Sequence, residues 1–282
     1  MAEPALAVHG GAGGRLPSDQ GPYHEALAAA LDAGWEGLAG GGALDAVEAA
    51  VAVLEDAPFF NAGRGSVLTA AGAVEMDAGI AYGPELRTGA VACVTRVRNP
   101  VRLARAVMER TPHVLLAGRG AEALAVELNL ELMKPSWFVT ARQRERFEAG
   151  TVGAVARDPS GALAAATSTG GTRGQLPGRV GDSPLFGAGT YADARCAVSA
   201  TGDGEAVIRA VAAYEVARLV ADGLSLEDAA DRVVGDRVAA LGGNGGLIAL
   251  GTEGEPAMPF STEVMHRGWR VGETPPATAI GP

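Results

Sequence analysis

The sequence predicts an α+β fold, and three observations carry that reading. Apolar residues recur at three- and four-residue spacing in several stretches, which is helix periodicity. Short strand-like runs bounded by Gly, Pro and Asp lie between those stretches, the clearest being a hairpin over residues 151–169. At 282 residues and 48% hydrophobic content, the chain can bury a large core.

In chain order, residues 4–9 (PALAVH) read as a short buried strand entering the glycine loop GGAGG. Leu27, Leu31, Gly34, Trp35 and Leu38 mark a helix over 23–39, ended by Gly40, Gly41 and Gly42. Val47, Val51 and Leu54 mark a second over 44–54, and the following APFFNAGRGS is turn-rich. Strands are expected near 73–82 and 89–97, helices near 100–110 and 119–129, and a linker-like stretch over 142–147. TVGAVAR and ALAAATST then flank Asp158-Pro159-Ser160-Gly161, which suits a type I turn. Pairing Asp158 with Gly161 places Thr151 opposite Ser168, one step from Thr169. CAVSAT (196–201) reads as a strand. Ile208, Val211, Ala212, Val216, Leu219 and Val220 mark one amphipathic helix ended by Gly223. Ser225 and Asp228 form a capping box for the next helix, and 245–251 and 257–261 read as closing strands.

A net charge of −10 argues against nucleic acid or anionic membrane as a partner, and no run reaches the ~20 apolar residues of a membrane span. The first residues lack a basic stretch followed by an apolar core, and the two cysteines, Cys93 and Cys196, sit in apolar runs as buried thiols. A cytoplasmic protein is therefore expected. Common site motifs fail. HGGAGGRL has Leu16 where a dinucleotide loop needs its third glycine, and His24-Glu25 has Ala28 where HExxH needs His. The only lysine, Lys134, follows Met133 rather than the glycine of a P-loop, and no GxSxG is present.

What remains is a polar cluster over residues 150–205, opening at Gly150-Thr151. If that bond breaks, Thr151 carries a hydroxyl nucleophile and a free α-amine of pKa about 7.7–8.0, which can serve as its base. Read alone, Thr151 is merely the first residue of a buried strand. The segment LPGRVGDSPL carries Arg179 and Asp182, which read singly as a solvated ion pair. Together they also suit a ligand with one carboxylate and one ammonium group, an α-amino acid head. Thr201 and Gly202 in SATGDGE lie at a strand-to-helix turn, where a backbone N–H beside a hydroxyl suits a developing oxyanion.

TVGAVA, TSTGG, LPGRVGDSPL and TGDGE, with VHGGAG, FNAGRGS and GGLIAL, make nearly the whole chain resemble the isoaspartyl peptidase/L-asparaginase family, the plant-type asparaginases. These are N-terminal nucleophile hydrolases. The resemblance implies a four-layer αββα sandwich, a single domain over 1–282. It implies autocleavage between Gly150 and Thr151 into chains 1–150 and 151–282, and hydrolysis of asparagine or β-aspartyl dipeptides as small-molecule substrates. It implies that Thr151 is nucleophile and base, that Thr169 supports it, and that Thr201 and Gly202 form the oxyanion hole. Arg179 would hold the substrate α-carboxylate, Asp182 its α-ammonium, with Gly204 lining the same turn and Asn61 touching the nucleophile. No catalytic cofactor is implied. A structural sodium would rest on backbone carbonyls of the loop 54–64, at Leu54, Glu55, Ala57, Phe60, Ala62 and Arg64. A homodimer of αβ units is also implied.

Two features depart from the pattern. Asp203 brings a carboxylate beside the oxyanion turn and is expected to face outward or cap the helix. The segment before Gly150 is short. Two other readings stand beside this one: a glycosylasparaginase, whose threonine is usually preceded by His-Asp where this chain has Ala149-Gly150, and an uncleaved binding protein of the same fold.

Overall fold

The structure is a computed structural model that describes residues 1–140 and 150–281. The linker-like stretch 142–147 and Ala149 lie outside the described residues. Eleven named strands among the described residues form two sheets. They are β1 (Ala5–Ala12), β2 (Met76–Tyr82), β3 (Arg87–Val94), β4 (Leu115–Ala117), β5 (Val152–Arg157), β6 (Leu163–Thr169), β7 (Thr190–Ala192), β8 (Cys196–Gly202), β9 (Gly245–Gly251), β10 (Met265–Val271) and β11 (Ala277–Ile280). The larger sheet runs β11-β10-β1-β5-β6-β2-β3-β4 and the smaller β7-β8-β9. All pairings are antiparallel except β3 with β4.

The helices are α1 (Gly21–Gly40), α2 (Ala43–Asp56), α3 (Pro100–Arg110), α4 (Gly118–Glu127), α5 (Pro135–Phe138), α6 (Gly204–Ala210), α7 (Ala212–Ala221) and α8 (Leu226–Arg232). A π-helical turn, Val233–Val238, follows α8. The two sheets face one another through β5 and β6 on one side and β8 and β9 on the other. Helices α1, α2 and α3 pack on the large sheet, while α7 and α8 pack on the small one. No helix among the described residues is long and apolar enough to cross a membrane.

This layering explains why β5 is buried throughout. Val152, Ala154 and Ala156 belong to the core under α1 and α2, while Val155 joins the core between the sheets with Ala197, Ile248 and Leu250. Side chains alternate along a strand, so Thr151 shares the face of Val155, toward the small sheet. On β6, Ala164 and Ala166 face the helices, whereas Leu163 and Ala165 face the small sheet. By the same alternation Thr169 points to the small sheet and Ser168 to the helices.

The helices expected over 23–39, 44–54, 100–110 and 119–129 are present, as are the strands near the N-terminus and over 151–169, 196–201 and 245–251. Of the expected capping box the N-cap half forms, with Ser225 Oγ accepting the Asp228 N–H at 3.0 Å and donating to Asp228 Oδ2 at 2.6 Å. Cys93 and Cys196 are free thiols, Cys196 buried as expected and Cys93 only partly buried.

Three expectations are corrected. The hairpin pairs Val152 with Ser168 and Arg157 with Leu163, one residue away from the predicted register. Its loop has three residues, not two. Asp158 N–H bonds Ala162 O at 3.0 Å, and Gly161 takes φ +88°, a left-handed turn closure that favours glycine. Secondly, the single helix expected through Val211 is two helices. Val211 is left-handed (φ +50°), and the N–H groups of Ala213 and Tyr214 bond the carbonyls of Ala188 and Gly187 instead of continuing α6. Thirdly, residues 257–261 make only isolated bridges, through Ala257 and Phe260, and the closing strands are β10 and β11.

Candidate active site

Thr151 stands immediately before the central strand β5, and the observed register carries it opposite Thr169. Its hydroxyl donates to Thr169 Oγ1 at 3.0 Å, and Thr169 Oγ1 also accepts the Gly171 N–H at 3.0 Å. Both threonines are buried. The Gly150 carbonyl accepts the backbone N–H of Asn61 at 3.2 Å. The Asn61 side chain bonds the Gly171 carbonyl (2.6 Å) and the Val67 N–H (2.9 Å), so Asn61 clamps the junction through its backbone and the TSTGG turn through its amide. Gly11, at φ +104°, comes so close to Gly150 that any Cβ there would overlap the Gly150 backbone. That approach accounts for a glycine at the irregular end of β1, where the pairing with β10 shifts register.

At the end of β8, Thr201 is fully buried and its Oγ1 accepts the Ala12 N–H at 3.2 Å, which leaves its own O–H to donate. Gly202 has φ +134°, and a Cβ there would overlap the Asn244 carbonyl, so the turn requires glycine. Asp203 is exposed and makes no side-chain cap to α6. Its Oδ2 accepts the Asn244 N–H at 2.8 Å, bracing the loop before β9.

Arg179, Asp182 and Gly204 come together beside this turn. A Cβ on Gly204 would stand 2.7 Å from Arg179 Nη2 and 2.9 Å from Asp182 Oδ1, so glycine keeps the space between the two charges open. Arg179 and Asp182 do not form an ion pair with one another. Arg179 is instead gripped by Glu205, Nε to Oε1 at 3.0 Å and Nη2 to Oε2 at 3.0 Å. Asp182 is buried with its Oδ2 unpartnered, and burial raises its pKa to about 7 against the pull of its own backbone N–H and of Arg179. A buried carboxylate with an unpartnered oxygen beside a guanidinium suits a ligand bearing an ammonium and a carboxylate.

Sequence reasoning missed the residues that hold this site in place. Asp77, opposite Thr169 in the β2–β6 register, accepts the Gly181 N–H at 2.9 Å, and Glu75 accepts the Gly178 N–H at 2.7 Å. These two carboxylates fix the loop that carries Arg179. They fall in EMDAG, where no spacing motif marks them. His9 is fully buried, with Nε2 2.9 Å from Ser199 Oγ. Ser199 Oγ lies 2.7 Å from Thr167 Oγ1, which accepts from Thr190 at 2.7 Å. Burial lowers the His9 pKa to about 3, so this chain of neutral groups ties β1 to the small sheet.

The loop 54–64 leaves α2 with its carbonyls unequally engaged. The Glu55 carbonyl accepts the Arg64 N–H at 2.7 Å and that of Leu54 the Ala57 N–H at 3.3 Å. The carbonyls of Ala57, Phe60, Ala62 and Arg64 accept no backbone hydrogen bond among the described residues. Such an oxygen-only set is the donor chemistry a hard monovalent cation takes. The Glu55 side chain points elsewhere: it is fully buried, accepts the Val101 N–H at 3.0 Å, and burial raises its pKa to about 8.

A cavity of about 540 Å³ opens at Thr151, lined also by Asn61, Gly150, Gly202, Asp203 and Arg173. Of the predicted residues, Thr151, Asn61, Gly150 and Gly202 thus meet at one wall. Arg179, Asp182 and Gly204 form the adjoining cluster, joined to it through the run Gly202-Asp203-Gly204.

The chain is similar to known proteins along nearly its whole length. The asparaginase family profile matches residues 2–149 and 142–280. The chain is 46% identical over 310 aligned positions to the isoaspartyl peptidase of Escherichia coli (strain K12), covering 99% of this chain and 97% of that protein. It is 42% identical over 271 positions to the isoaspartyl peptidase/L-asparaginase of Homo sapiens, covering 89% and 88%. Against the putative isoaspartyl peptidase/L-asparaginase of Dictyostelium discoideum it is 41% identical over 280 positions, covering 82% and 81%.

Proposed function

The chain belongs to the asparaginase family, and on that premise we propose that it is an isoaspartyl peptidase/L-asparaginase with Thr151 as its nucleophile. The observation that carries the reading is the 3.0 Å contact between the Thr151 and Thr169 hydroxyls at the strand start directly after Gly150. The fold in this reading is the four-layer αββα sandwich of the N-terminal nucleophile hydrolases. The helix, large-sheet, small-sheet and helix contacts support it.

In the intact chain the Thr151 nitrogen is an amide and cannot act as a base. Maturation therefore precedes catalysis. Thr151 Oγ1 adds to the Gly150 carbonyl carbon, the C–N bond breaks, and an ester forms as the acyl group moves from N to O. Water then cleaves the ester, leaving a carboxylate on Gly150 and a free amine on Thr151. The Asn61 N–H on the Gly150 oxygen is placed to polarise that carbonyl.

In the mature enzyme the α-amine accepts the Thr151 hydroxyl proton while Oγ1 attacks the side-chain carbonyl of an aspartyl substrate. Arg179 holds the substrate α-carboxylate and Asp182 its α-ammonium. The Thr201 hydroxyl and Gly202 N–H take the oxyanion. Ammonia or the departing amino acid leaves with a proton, and water releases aspartate from the ester on Thr151. Removing one such oxyanion donor typically costs about 2.7–4 kcal/mol of transition-state stabilisation.

A structural sodium on the carbonyls of Leu54, Glu55, Ala57, Phe60, Ala62 and Arg64 belongs to the same reading. So does a homodimer of αβ units. The two free thiols suit a reducing, cytoplasmic setting. The test is hydrolysis of β-aspartyl-leucine and asparagine set against N-acetylglucosaminyl-asparagine. Release of aspartate from the first two is expected. Turnover of the glycosylated substrate alone would overturn the assignment in favour of a glycosylasparaginase.

A further inference from the structure

The two substrates of the proposed reaction differ on one side only. Both carry the same amino-acid head. Asparagine expels ammonia, whereas a β-aspartyl dipeptide expels an amino acid whose own α-carboxylate is a second negative charge. Discrimination between them must come from what lies beyond the scissile carbonyl.

The structure separates these two sides. The head-group residues Arg179, Asp182 and Gly204 are not on the wall of the cavity of about 540 Å³. Thr151 and Gly202 are on it, and the chain runs from Gly202 through Asp203 to Gly204 of the head-group cluster. A substrate with its head at Arg179 and Asp182, and its scissile carbonyl at Thr151 and Gly202, therefore sends its leaving group into this cavity. The space is far larger than ammonia needs.

Among the described residues that line it, Arg173 and Asp203 carry the only charged side chains. The Asp203 carboxylate is turned to the Asn244 N–H at 2.8 Å. Arg173 is the cation among these described residues, on a chain whose net charge of −10 otherwise repels an anionic peptide. Its backbone is firmly held. The Asn61 amide bonds the Gly171 carbonyl at 2.6 Å, Thr172 N–H bonds Gln175 Oε1 at 2.8 Å, and Gly174 N–H bonds the Leu68 carbonyl at 2.8 Å. Asn61 also touches the Gly150 carbonyl, so the Arg173 turn is fixed relative to the nucleophile. A guanidinium on such a turn is suited to a carboxylate by shape as well as charge.

We propose that Arg173 binds the α-carboxylate of the departing residue, making this cavity a subsite selective for β-aspartyl dipeptides with a free C-terminus. The proposal rests on the isoaspartyl peptidase reading above and adds the residue that sets its preference. The test compares β-aspartyl-leucine, β-aspartyl-leucine amide and asparagine in the mature enzyme and in the Arg173→Ala variant. The wild type is expected to favour the free acid over the amide by about tenfold in kcat/KM, the scale of one partly solvated charged contact. In Arg173→Ala that preference is expected to vanish, and the ratio of β-aspartyl-leucine to asparagine kcat/KM to fall about tenfold. Arg173→Lys should restore part of both ratios. Measuring asparagine hydrolysis in the same variant separates lost discrimination from lost folding. Equal ratios in wild type and variant overturn the proposal while leaving the parent reading intact. A wild type that hydrolyses none of the three overturns both.

Discussion

Asp182 sits buried beside Arg179 with one carboxylate oxygen unpartnered, and its pKa is pushed up to about 7 by burial. Only the ionised form can hold an α-ammonium group. In the free enzyme, kcat/KM should therefore fall as pH drops below about 7, with Asp182 contributing one proton to the acid limb alongside the Thr151 amine. Asp182→Asn should remove that proton from the profile and raise KM for asparagine by tenfold or more. An unchanged acid limb in the variant would contradict the assignment. The neighbouring Glu205 occupies the Nε–Nη2 edge of Arg179, and the Nη1 end makes only a long 3.5 Å contact to Gln175 Oε1. Glu205→Ala should then raise KM about tenfold with kcat nearly constant, and Glu205→Gln should recover part of the loss because it keeps a hydrogen bond to the guanidinium. A fall in kcat at constant KM would argue against a positioning role for Glu205.

The hairpin of β5 and β6 shows how one loop residue brings two buried hydroxyls together. A two-residue turn would set Thr151 against Ser168, whose side chain faces the helices. The three-residue loop closed by Gly161 at φ +88° sets it against Thr169 instead. A one-residue slip thus decides which hydroxyl reaches Thr151. Gly161→Ala should cost about 1 kcal/mol from the left-handed strain, read as a lowered Tm with the cleavage site still intact. The elements that were legible in the sequence had simple periodicity: α1 and α2 from their apolar spacing, the hairpin arms from β-rich runs around Asp-Pro-Ser-Gly, and Thr151, Thr169, Arg179 and Asp182 from motifs in order. What was not legible depends on distant partners. The break at Val211 exists because Ala213 and Tyr214 bond the Gly187–Ala188 loop. Strand β10 is disguised by Arg267 and Arg270, whose guanidinium groups lie over Phe260 (4.6 Å) and Trp35 (4.0 Å). Asp77 and Glu75 act only through backbone amides far along the chain, a relation no local spacing encodes.

Across the molecule, two buried groups give opposite slopes to the pH dependence of stability. His9 is held neutral between the sheets with a pKa of about 3, below its ordinary 6.5. The unfolded chain takes up a proton that the folded one refuses, so stability is full above pH 6.5 and falls as pH drops toward 3. Glu55 is the reverse, protonated in the fold up to about pH 8 against an ordinary 4.5. Its contribution is full below pH 4.5 and is lost as pH rises through 8. Tm should therefore peak in mildly acidic solution. Glu55→Gln should flatten the alkaline limb, and an alkaline limb identical to wild type would show that Glu55 ionises freely in the fold.

The whole account depends on one bond, Gly150–Thr151, lying next to a hydroxyl pair and an amide-held carbonyl. Intact mass spectrometry of purified wild type and Thr151→Ala, with N-terminal sequencing of the smaller fragment, tests it most directly. The account predicts wild-type fragments of residues 1–150 and 151–282, the second beginning Thr-Val-Gly-Ala, and a single full-length chain without activity for Thr151→Ala. Cleavage of the alanine variant at the same bond, or a full-length wild type that hydrolyses β-aspartyl-leucine, would contradict it.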